Sequence, residues 1–339
     1  MVPIKNAART LPICLAALSR LDPPPSEIVL VDNGSSDGSL ALQEAFAGSV
    51  RAADVRLLRE PRPGAAAARN AGIRAARGAV VVLMDADCEP EPDWLKHLLA
   101  PFEEDAVGAV AGRVVSAPAG STVELFSALY TLQLPDQPKR STRWTPWEGG
   151  YVTANFAVRA ETLKAVGDLD EASVGATACG SDYDLCARIY THGQSVVYEP
   201  AARVRHHHRT TMRGMVRQAF DYGESHAYLL RRRWAQGLWV ELPRVRWSWP
   251  GCPVHAWMDL ASADKKVAAI AATGLWLPAA LWLLPLYAGW LMVVTGRRAR
   301  HAGAPAWRAP VLAGLLLVKS GAMTLGRWRG ALKYGVVCV

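Results

Sequence analysis

The stretch SEIVLVDNGSSDGS, residues 26–39, decides the predicted fold. Its first half is an apolar run rich in β-branched residues, which predicts a buried strand, and its polar half predicts a turn that leads into a helix from about Ser39. The run GAVVVLMD (78–85) repeats this arrangement. Because strands that alternate with helices favour right-handed crossovers, we expect an α/β domain with a mostly parallel sheet and helices on both faces.

Two carboxylates are predicted at the ligand-binding edge of this sheet. A short strand near Val55–Leu58 and an Ala-rich helix from Gly64 to Arg77 lie between the two apolar runs. Ligands of such sheets bind beyond the carboxyl ends of the strands. Asp32 ends one apolar run and Asp85 ends the other, so both side chains should face a ligand.

The segment MDADC carries a second carboxylate, Asp87, one residue after Asp85. Two carboxylates spaced in this way at a strand end can hold a divalent cation against a diphosphate. The same spacing is also common in ordinary turns. This motif therefore needs support from its neighbours.

Two further segments lie at the same predicted edge. In VDNGSSDGS (31–39), the Asp32 carboxylate could accept a hydrogen bond from a nucleobase N–H, or the segment could be an Asx turn with Ser36 or Asp37 as the helix N-cap. The two interpretations are compatible. In AARNAGIRAARG (67–78), Arg69 could meet phosphate or uracil, or it could lie on a solvated helix face.

Charge divides the chain into two regions. Residues 1–200 hold 18 Lys and Arg against 25 Asp and Glu, whereas residues 201–339 hold 20 against 5. A basic half suits either nucleic acid or an anionic membrane surface. Here the basic residues alternate with long apolar runs and many of the 13 tryptophans, and no nucleic-acid motif is present, so a membrane is the expected partner and nucleic acid is not.

The apolar C-terminal region is expected to enter that membrane. Residues 211–262 should form amphipathic interfacial helices, and 263–339 a membrane-embedded segment. Val267 to Thr295 contains no charge; as one helix it would be ~44 Å long against a hydrocarbon core of ~30 Å, so it should tilt or bend at Pro278 or Pro285. A buried core helix is the alternative. A second run, Pro310–Gly326, is interrupted by Lys319, and the positive flanks favour a re-entrant hairpin or two returning spans.

The six cysteines are scattered without a CxxC pair, which argues against a zinc ribbon or a disulfide scaffold. No apolar stretch of signal-peptide length occurs at the N-terminus. The polar half is therefore expected in a reducing setting, on the cytoplasmic face of the cell inner membrane.

In collinear order, VPIKN, VDNGSSDGS, ARNAGIRAARG and LMDADC resemble the family 2 inverting glycosyltransferases of GT-A fold, of the membrane-associated bacterial type. The resemblance continues through TANFAVRAETLKAVGDLDE (153–171), GSDYDLCARIYTHG (180–193) and YEPAARVRHHH (198–208). It covers roughly residues 1–210. It implies a nucleotide-sugar-binding half at 1–110 and an acceptor-binding half at 111–210.

The resemblance also implies a role for particular residues. The Pro3–Asn6 turn, including Ile4, together with Asp32, Arg69 and Asp85, would bind the nucleotide. Asp87 and His206 would bind Mn²⁺ or Mg²⁺. Asp182 would be the catalytic base that takes the proton of the acceptor hydroxyl; read without the family, it could equally be a helix N-terminal charge.

The expected activity is therefore metal-dependent transfer of a sugar, most readily from a UDP-sugar, to a lipid-linked or cell-envelope glycan acceptor. A soluble natural product is the alternative acceptor. A non-catalytic membrane protein that binds nucleotide-sugars is the alternative function. Two departures from the family are visible: Ser181 stands where a Glu often precedes the base, and a chain that starts Met1–Val2–Pro3 leaves little room for a first strand.

Overall fold

The computed structural model describes residues 1–132, 134–145, 147–173, 175, 179–233 and 236–339. It divides into two compact units. The first comprises Met1–Ala117 and Leu132–His208, and the second comprises Pro118–Thr131 and Arg209–Val339. Residues Pro118–Thr131, predicted within the second half of the α/β domain, thus group with the C-terminal region.

The described strands are β1 (Val2–Ile4), β2 (Glu27–Asp32), β3 (Asp54–Arg59), β4 (Val80–Met84), β5 (Cys88–Pro90), β6 (Val107–Ser116), β7 (Lys139–Ser141), β8 (Asn155–Arg159), β9 (Ser195–His206), β10 (Gly237–Glu241), β11 (Arg246–Pro250), β12 (His255–Asp259) and β13 (Val337–Cys338). The described α-helices are α1 (Leu11–Leu18), α2 (Ser39–Ser49), α3 (Ala65–Ala75), α4 (Trp94–Leu99), α5 (Thr122–Tyr130), α6 (Ala160–Val166), α7 (Ser181–Thr191), α8 (Met212–Arg233), α9 (Ala263–Trp276), α10 (Leu283–His301) and α11 (Ala309–Tyr334). Short 3-10 helices span Ala100–Glu103, Pro278–Trp282 and Ala306–Arg308.

The predicted parallel arrangement is present in β1, β2 and β3, which pair in that order and in parallel. The short first strand does form, since Val2 lies opposite Leu30 and Ile4 opposite Asp32. The remaining strands of this unit form a mixed sheet in the order β4-β8-β6-β9-β5, with β7 on β9. Within it β6 and β9 are parallel, whereas the pairs made by β8, β5 and β7 are antiparallel.

Helices cover both faces of these strands, as the continuous apolar runs predict. In β2 every residue from Ile28 to Asp32 is buried. One apolar cluster packs the strands against α1 and α4, through residues such as Leu11 and Leu98. The other packs them against α3, α6 and α7, through residues such as Ile73 and Leu185. The strand ends that are expected to bind the ligand therefore belong to sheets with helices packed on both faces.

Asn155 braces an irregularity in the centre of the mixed sheet. The register of β6 against β9 jumps between Gly112, opposite Glu199, and Arg113, opposite Arg203. The side-chain amide of Asn155 donates to the Arg113 and Ala202 carbonyls, both at 2.9 Å, and its oxygen accepts from the Trp94 indole at 2.8 Å. This buried side chain thus satisfies backbone groups that the bulge leaves without strand partners.

The second unit corrects the prediction that residues 211–262 form interfacial helices. Of the described residues in this range, only Met212–Arg233 is helical, whereas β10, β11 and β12 form a sheet with β13 in the order β11-β10-β12-β13. The segments GLWVE, RWSWP and HAWMD are short and rich in aromatic residues, which favours strands, and RWSWP also alternates between polar and apolar residues. Basic and aromatic composition alone does not distinguish the two structures.

Helices α8 and α11 of this unit approach one another at glycines. A Cβ atom at Gly223 would overlap the Met323 carbonyl, one at Gly326 would overlap the Phe220 carbonyl, and one at Gly330 would press on the Glu224 backbone. Small residues at these positions allow the two backbones to come into direct contact. Glycine spacing, and not only apolar content, therefore determines this helix pair.

Among the described residues, two helical stretches are long and apolar enough to cross a membrane, Pro278–His301 and Ala306–Tyr334. The uncharged run predicted from Val267 does not form one helix. Its α-helix ends at Trp276, Leu277 adopts φ −130° and ψ 88°, and a 3-10 helix begins at Pro278. The bend thus occurs at Pro278, while Pro285 lies inside the first turn of α10.

We predict that Gly326→Ala lowers the stability of the second unit by about 1–3 kcal/mol, because the added methyl group forces α8 and α11 apart. Gly314→Ala is the matched control, since it lies on the same helix with open space around its Cβ position. The control should be neutral or more stable by about 0.5–1 kcal/mol. Thermal unfolding of both variants in detergent, followed by circular dichroism, measures the difference; equal melting temperatures would contradict the predicted close packing.

Candidate active site

The acidic turn MDADC connects β4 to β5 and places two carboxylates at a strand end, as predicted. Arg69, on α3, donates from Nη2 to Asp85 Oδ1 at 2.7 Å. The arginine side chain is buried, while the Asp85 side chain remains 28% exposed. Asp85 therefore binds the guanidinium directly.

Arg69 carries its charge despite burial. Burial lowers the pKa of the guanidinium, but the ion pair with Asp85 and the nearby charges of Asp182 and Asp87 raise the pKa above its ordinary value overall. Its Nε atom is buried and has no hydrogen-bond partner among the residues that the structure describes. An unsatisfied buried donor of this kind is costly, so Arg69 has an N–H available for an anionic or carbonyl ligand.

Asp87 and His206 lie side by side at this turn. The antiparallel pairing of β5 with β9 puts Cys88 directly opposite His206, and His206 Nε2 is 3.4 Å from Asp87 Oδ1. One ligand atom from each of Asp87, Cys88 and His206 falls within 4.8 Å of the others. His206 Nδ1 is buried and finds no hydrogen-bond partner within the described part of the chain.

The donor set of this cluster fits a divalent cation such as Mn²⁺ or Mg²⁺ better than a thiophilic metal. A carboxylate oxygen and an imidazole nitrogen suit Mn²⁺, and carboxylates suit Mg²⁺. Burial raises the pKa of the Cys88 thiol well above its usual range, so the sulfur stays protonated and is a poor ligand. Asp87 and His206 are therefore the two residues here that could bind such an ion.

Asp182 occupies the first turn of α7, which begins at Ser181. The residue before this helix, Gly180, adopts the left-handed conformation at φ 87°. The Asp182 Oδ1 accepts from the Tyr183 backbone N–H at 2.9 Å. Burial raises the pKa of Asp182 to about 6, against the opposing effects of this hydrogen bond and of Arg69. A carboxylate with such a pKa is ionised at neutral pH and is a stronger base than an ordinary aspartate.

The predicted nucleotide-binding loops are connected to each other by side chains. Asp32 is buried and accepts from the backbone N–H groups of Gly34 at 3.1 Å and Ser35 at 3.3 Å. Asn6, at φ +50°, accepts from the Ser36 N–H at 2.8 Å. The Asx turn weighed from the sequence is thus present, although the residue at the N-cap of α2 is Gly38 rather than Ser36 or Asp37.

The other two residues predicted to bind the nucleotide, Pro3 and Ile4, contribute to this edge mainly through their backbone atoms. Pro3 lies within β1, opposite Val31. The Ile4 side chain is buried in the apolar cluster with α1 and α4, and its carbonyl accepts from the Asn33 N–H at 2.8 Å. Ile4 therefore shapes this edge from inside the core.

Two buried asparagines, Asn33 and Asn70, hold the surrounding loops, a role that was not predicted from the sequence. Asn33 donates to the Glu60 and Arg62 carbonyls at 2.8 and 2.7 Å. Asn70 exchanges two hydrogen bonds of 2.9 Å with the backbone of Leu169. An Asn that directly follows a buried strand or sits in the Ala-rich face of a helix is the signal that could have identified them.

We predict that Asp87→Asn weakens Mn²⁺ binding at least tenfold, because the variant loses the one ionised oxygen ligand of the cluster. Glu89→Gln is the matched control, since Glu89 lies two residues along the same turn and strand and pairs instead with arginines 20 and 205. Mn²⁺ titration monitored by electron paramagnetic resonance measures both. Equal affinities of the two variants would remove Asp87 from the metal site.

Comparisons with known proteins place this geometry in a family. Residues 1–167 match the family model described as Glycosyl transferase family 2. The chain is 31% identical over 240 residues to the pre-mycofactocin glycosyltransferase of Mycobacterium tuberculosis, which covers 68% of this chain and 47% of that protein. It is 25% identical over 252 residues to glycosyltransferase AglE of Haloferax volcanii, covering 71% and 78%. The chain thus spans about half the length of the mycobacterial relative.

A structural relative extends over nearly the whole chain. The mannosyltransferase PcManGT from Pyrobaculum calidifontis, solved in complex with GDP-Man and Mn²⁺, superimposes with a TM-score of 0.54 at 21% identity. The match covers 96% of this chain and 85% of that one. Together with the family match, this likeness confirms the predicted fold class.

Proposed function

Because residues 1–167 belong to glycosyltransferase family 2, we propose that this protein transfers a sugar from a nucleotide-sugar donor to an acceptor hydroxyl, inverting the anomeric carbon with the help of a divalent cation. The observation that supports this most directly is the charge pattern around Arg69. One guanidinium lies within the fields of Asp85, Asp87 and Asp182. A carboxylate with raised pKa and a group of phosphate-binding residues therefore share one electrostatic environment.

Asp182 is assigned as the base. Its carboxylate takes the proton from the acceptor hydroxyl as that oxygen attacks the anomeric carbon, and the sugar–phosphate bond breaks on the opposite side. A single displacement of this kind inverts the anomeric centre without a covalent enzyme intermediate. A pKa of about 6 leaves most of Asp182 ionised at neutral pH while the carboxylate still attracts a proton.

Arg69, Asp87 and His206 are assigned to the leaving-group side. The free Nε–H of Arg69 can donate to a phosphate or uracil oxygen, and Asp85 fixes the orientation of the guanidinium. Asp87 and His206 would hold the Mn²⁺ or Mg²⁺. Such an ion, when bound, neutralises the charge that develops on the departing diphosphate.

The donor is assigned as a UDP-sugar, and its base as a ligand of the Asn6 and Asp32 loops. A lipid-linked acceptor is assigned in preference to a soluble one, because the C-terminal unit exposes large apolar side chains, including Trp276 and Trp282. The assigned location is the cytoplasmic face of the cell inner membrane. Full turnover on a soluble acceptor by detergent-free protein would contradict the lipid assignment.

Isothermal calorimetry of UDP on the detergent-purified protein, with and without Mn²⁺, tests the donor assignment. We expect binding that requires Mn²⁺ and that Asp87→Asn abolishes. Metal-dependent binding of GDP or TDP instead would correct the nucleotide. Binding of nucleotide-sugars without any turnover or hydrolysis would favour the non-catalytic alternative.

We predict that Asp182→Asn lowers sugar transfer by about 10²–10⁴-fold and leaves nucleotide affinity within about twofold, because an amide cannot take the hydroxyl proton. Asp168→Asn is the matched control, since this carboxylate forms a surface ion pair with Arg74 at 2.8 Å. Initial rates and calorimetric affinities of the two variants give the comparison. An Asp182→Asn variant that transfers sugar as fast as the control would refute the base assignment.

We also predict an acid limb in the pH profile. Below the Asp182 pKa of about 6 the carboxyl is protonated and cannot accept a proton, so kcat/KM should fall about tenfold per pH unit; above pH 7 it should level off. Rates measured between pH 4.5 and 8, with stability checked at each pH, give the curve. A profile that stays flat down to pH 4.5 would show that another group is the base.

A further inference from the structure

Two helical stretches of the second unit have the length and composition of a membrane span, but their surroundings differ. α11 is accompanied by α8, which carries charged side chains including Asp221 and Glu224. The contacts at Gly223, Gly326 and Gly330 show that these helices touch closely over several turns. If α11 crossed a membrane, α8 would carry these charges into the hydrocarbon, which is unfavourable.

Polar contacts along the middle of α11 support the same conclusion. Arg327 forms a buried ion pair with Asp259 at 2.8 Å. Thr324 donates to Asp264 at 2.7 Å, and Lys319 donates to the Tyr130 carbonyl at 2.7 Å. These partners come from a strand and two other helices of the unit, so α11 is a core helix of a folded domain.

The outward face of α11 is nevertheless apolar. Its exposed large side chains include Val311, Val318, Leu325 and Leu332, which recur every seven residues. The side of α11 that packs into the unit carries Ser320, Thr324 and Arg327 among small and apolar residues, so the exposed stripe can rest on a membrane surface while these polar groups keep their partners inside the unit.

No described residue covers the tip of the hairpin made by α9, the 3-10 helix Pro278–Trp282 and α10 in this way. The Leu281 side chain fills the space beside Gly274, and the Lys266 ammonium lies 5.8 Å from the Trp290 ring centre. These contacts make the two arms antiparallel. Beyond this level the tip is free: Leu275, Trp276 and Trp282 are 84%, 91% and 76% exposed.

The base of the hairpin, by contrast, is anchored in the unit. The α10 residues Leu291, Thr295 and Ala299 are buried, and the Thr295 hydroxyl donates to the Ala309 carbonyl at 3.1 Å. Basic residues surround this base and are absent from the tip: Lys265, Lys266, Arg297, Arg298 and Arg300.

The depth of the free tip follows from helix geometry. From Lys266 to Trp276 the helix rises ~15 Å at 1.5 Å per residue. The hydrocarbon core of a bilayer is ~30 Å thick. Charged side chains are unfavourable in the hydrocarbon, and basic residues suit anionic headgroups, so the level of Lys266 and its basic neighbours marks the membrane–water interface. A hairpin whose interfacial level is the Lys266–Trp290 pair therefore reaches only to the middle of the bilayer.

We propose that residues 267–290 form a re-entrant hairpin that inserts into one leaflet of an anionic bilayer, with Trp276 and Trp282 at its tip and both arms emerging on the same side. α11 lies outside the hydrocarbon core, and no segment of the described second unit crosses the membrane. This inference refines the proposed membrane attachment and does not depend on the identity of the sugar donor or acceptor.

Cysteine labelling in sealed, inverted membrane vesicles tests the topology. Three single probes are placed at exposed residues in a Cys252→Ser background, because the five other native cysteines are buried: Leu260→Cys before α9, Ala302→Cys after α10, and Trp276→Cys at the tip. A charged maleimide that cannot cross membranes is applied before and after detergent. Cys252→Ser without a probe gives the background.

We expect the probes at 260 and 302 to be labelled to the same extent before detergent, and the probe at 276 to be labelled only after it. A hairpin whose α10 spans the bilayer would leave one of the probes at 260 and 302 protected, which would overturn the proposal. Labelling at 276 as fast as at 302 would also overturn it. Protein that fails to float with the vesicles would overturn it as well, including the case in which a second copy of the chain covers the apolar tip. Calorimetric UDP binding on the same preparations reports separately on the proposed function.

Discussion

The ion pair between Arg69 and Asp85 is the interaction on which the site depends. Three carboxylates of the first unit act on one another through the low-dielectric space around this guanidinium. Without its positive charge, burial and the repulsion from Asp85 would raise the pKa of Asp182 without this compensation, and the proposed base would be more readily neutralised. Because Arg69 is buried, its positive charge offsets the carboxylates strongly. The salt bridge with Asp85 fixes the orientation of the guanidinium.

The surrounding structure holds this charge cluster through buried amides. Asn33, Asn70 and Asn155 each bind backbone groups of a second segment. None of the three carries a charge, so they position loops without altering the electrostatic balance. Residues that serve the proposed chemistry and residues that hold its geometry are thus chemically distinct.

The sequence predicted the elements of the site better than their connections. Apolar runs ending in Asp32 and Asp85, and a helix N-terminus near Asp182, could be predicted because the polarity of the sequence changes at those residues. The pairing of Cys88 with His206 could not be predicted, because the register of β9 against its neighbouring strands depends on an irregularity between residues 199 and 203. The strands within 237–259 were not predicted, because a basic and aromatic composition suits an interfacial helix as well as a strand.

The register of β9 also bears on how such a chain can vary in evolution. Successive residues of a strand face opposite sides, so inserting or deleting a single residue after the bulge would turn His206 away from Asp87. Length changes before Ser195 or beyond Pro90 fall outside these strands, whereas the segment between the bulge braced by Asn155 and His206 cannot absorb them. Among divergent relatives, the few residues from the bulge to His206 should therefore keep constant length, while the segments around them drift.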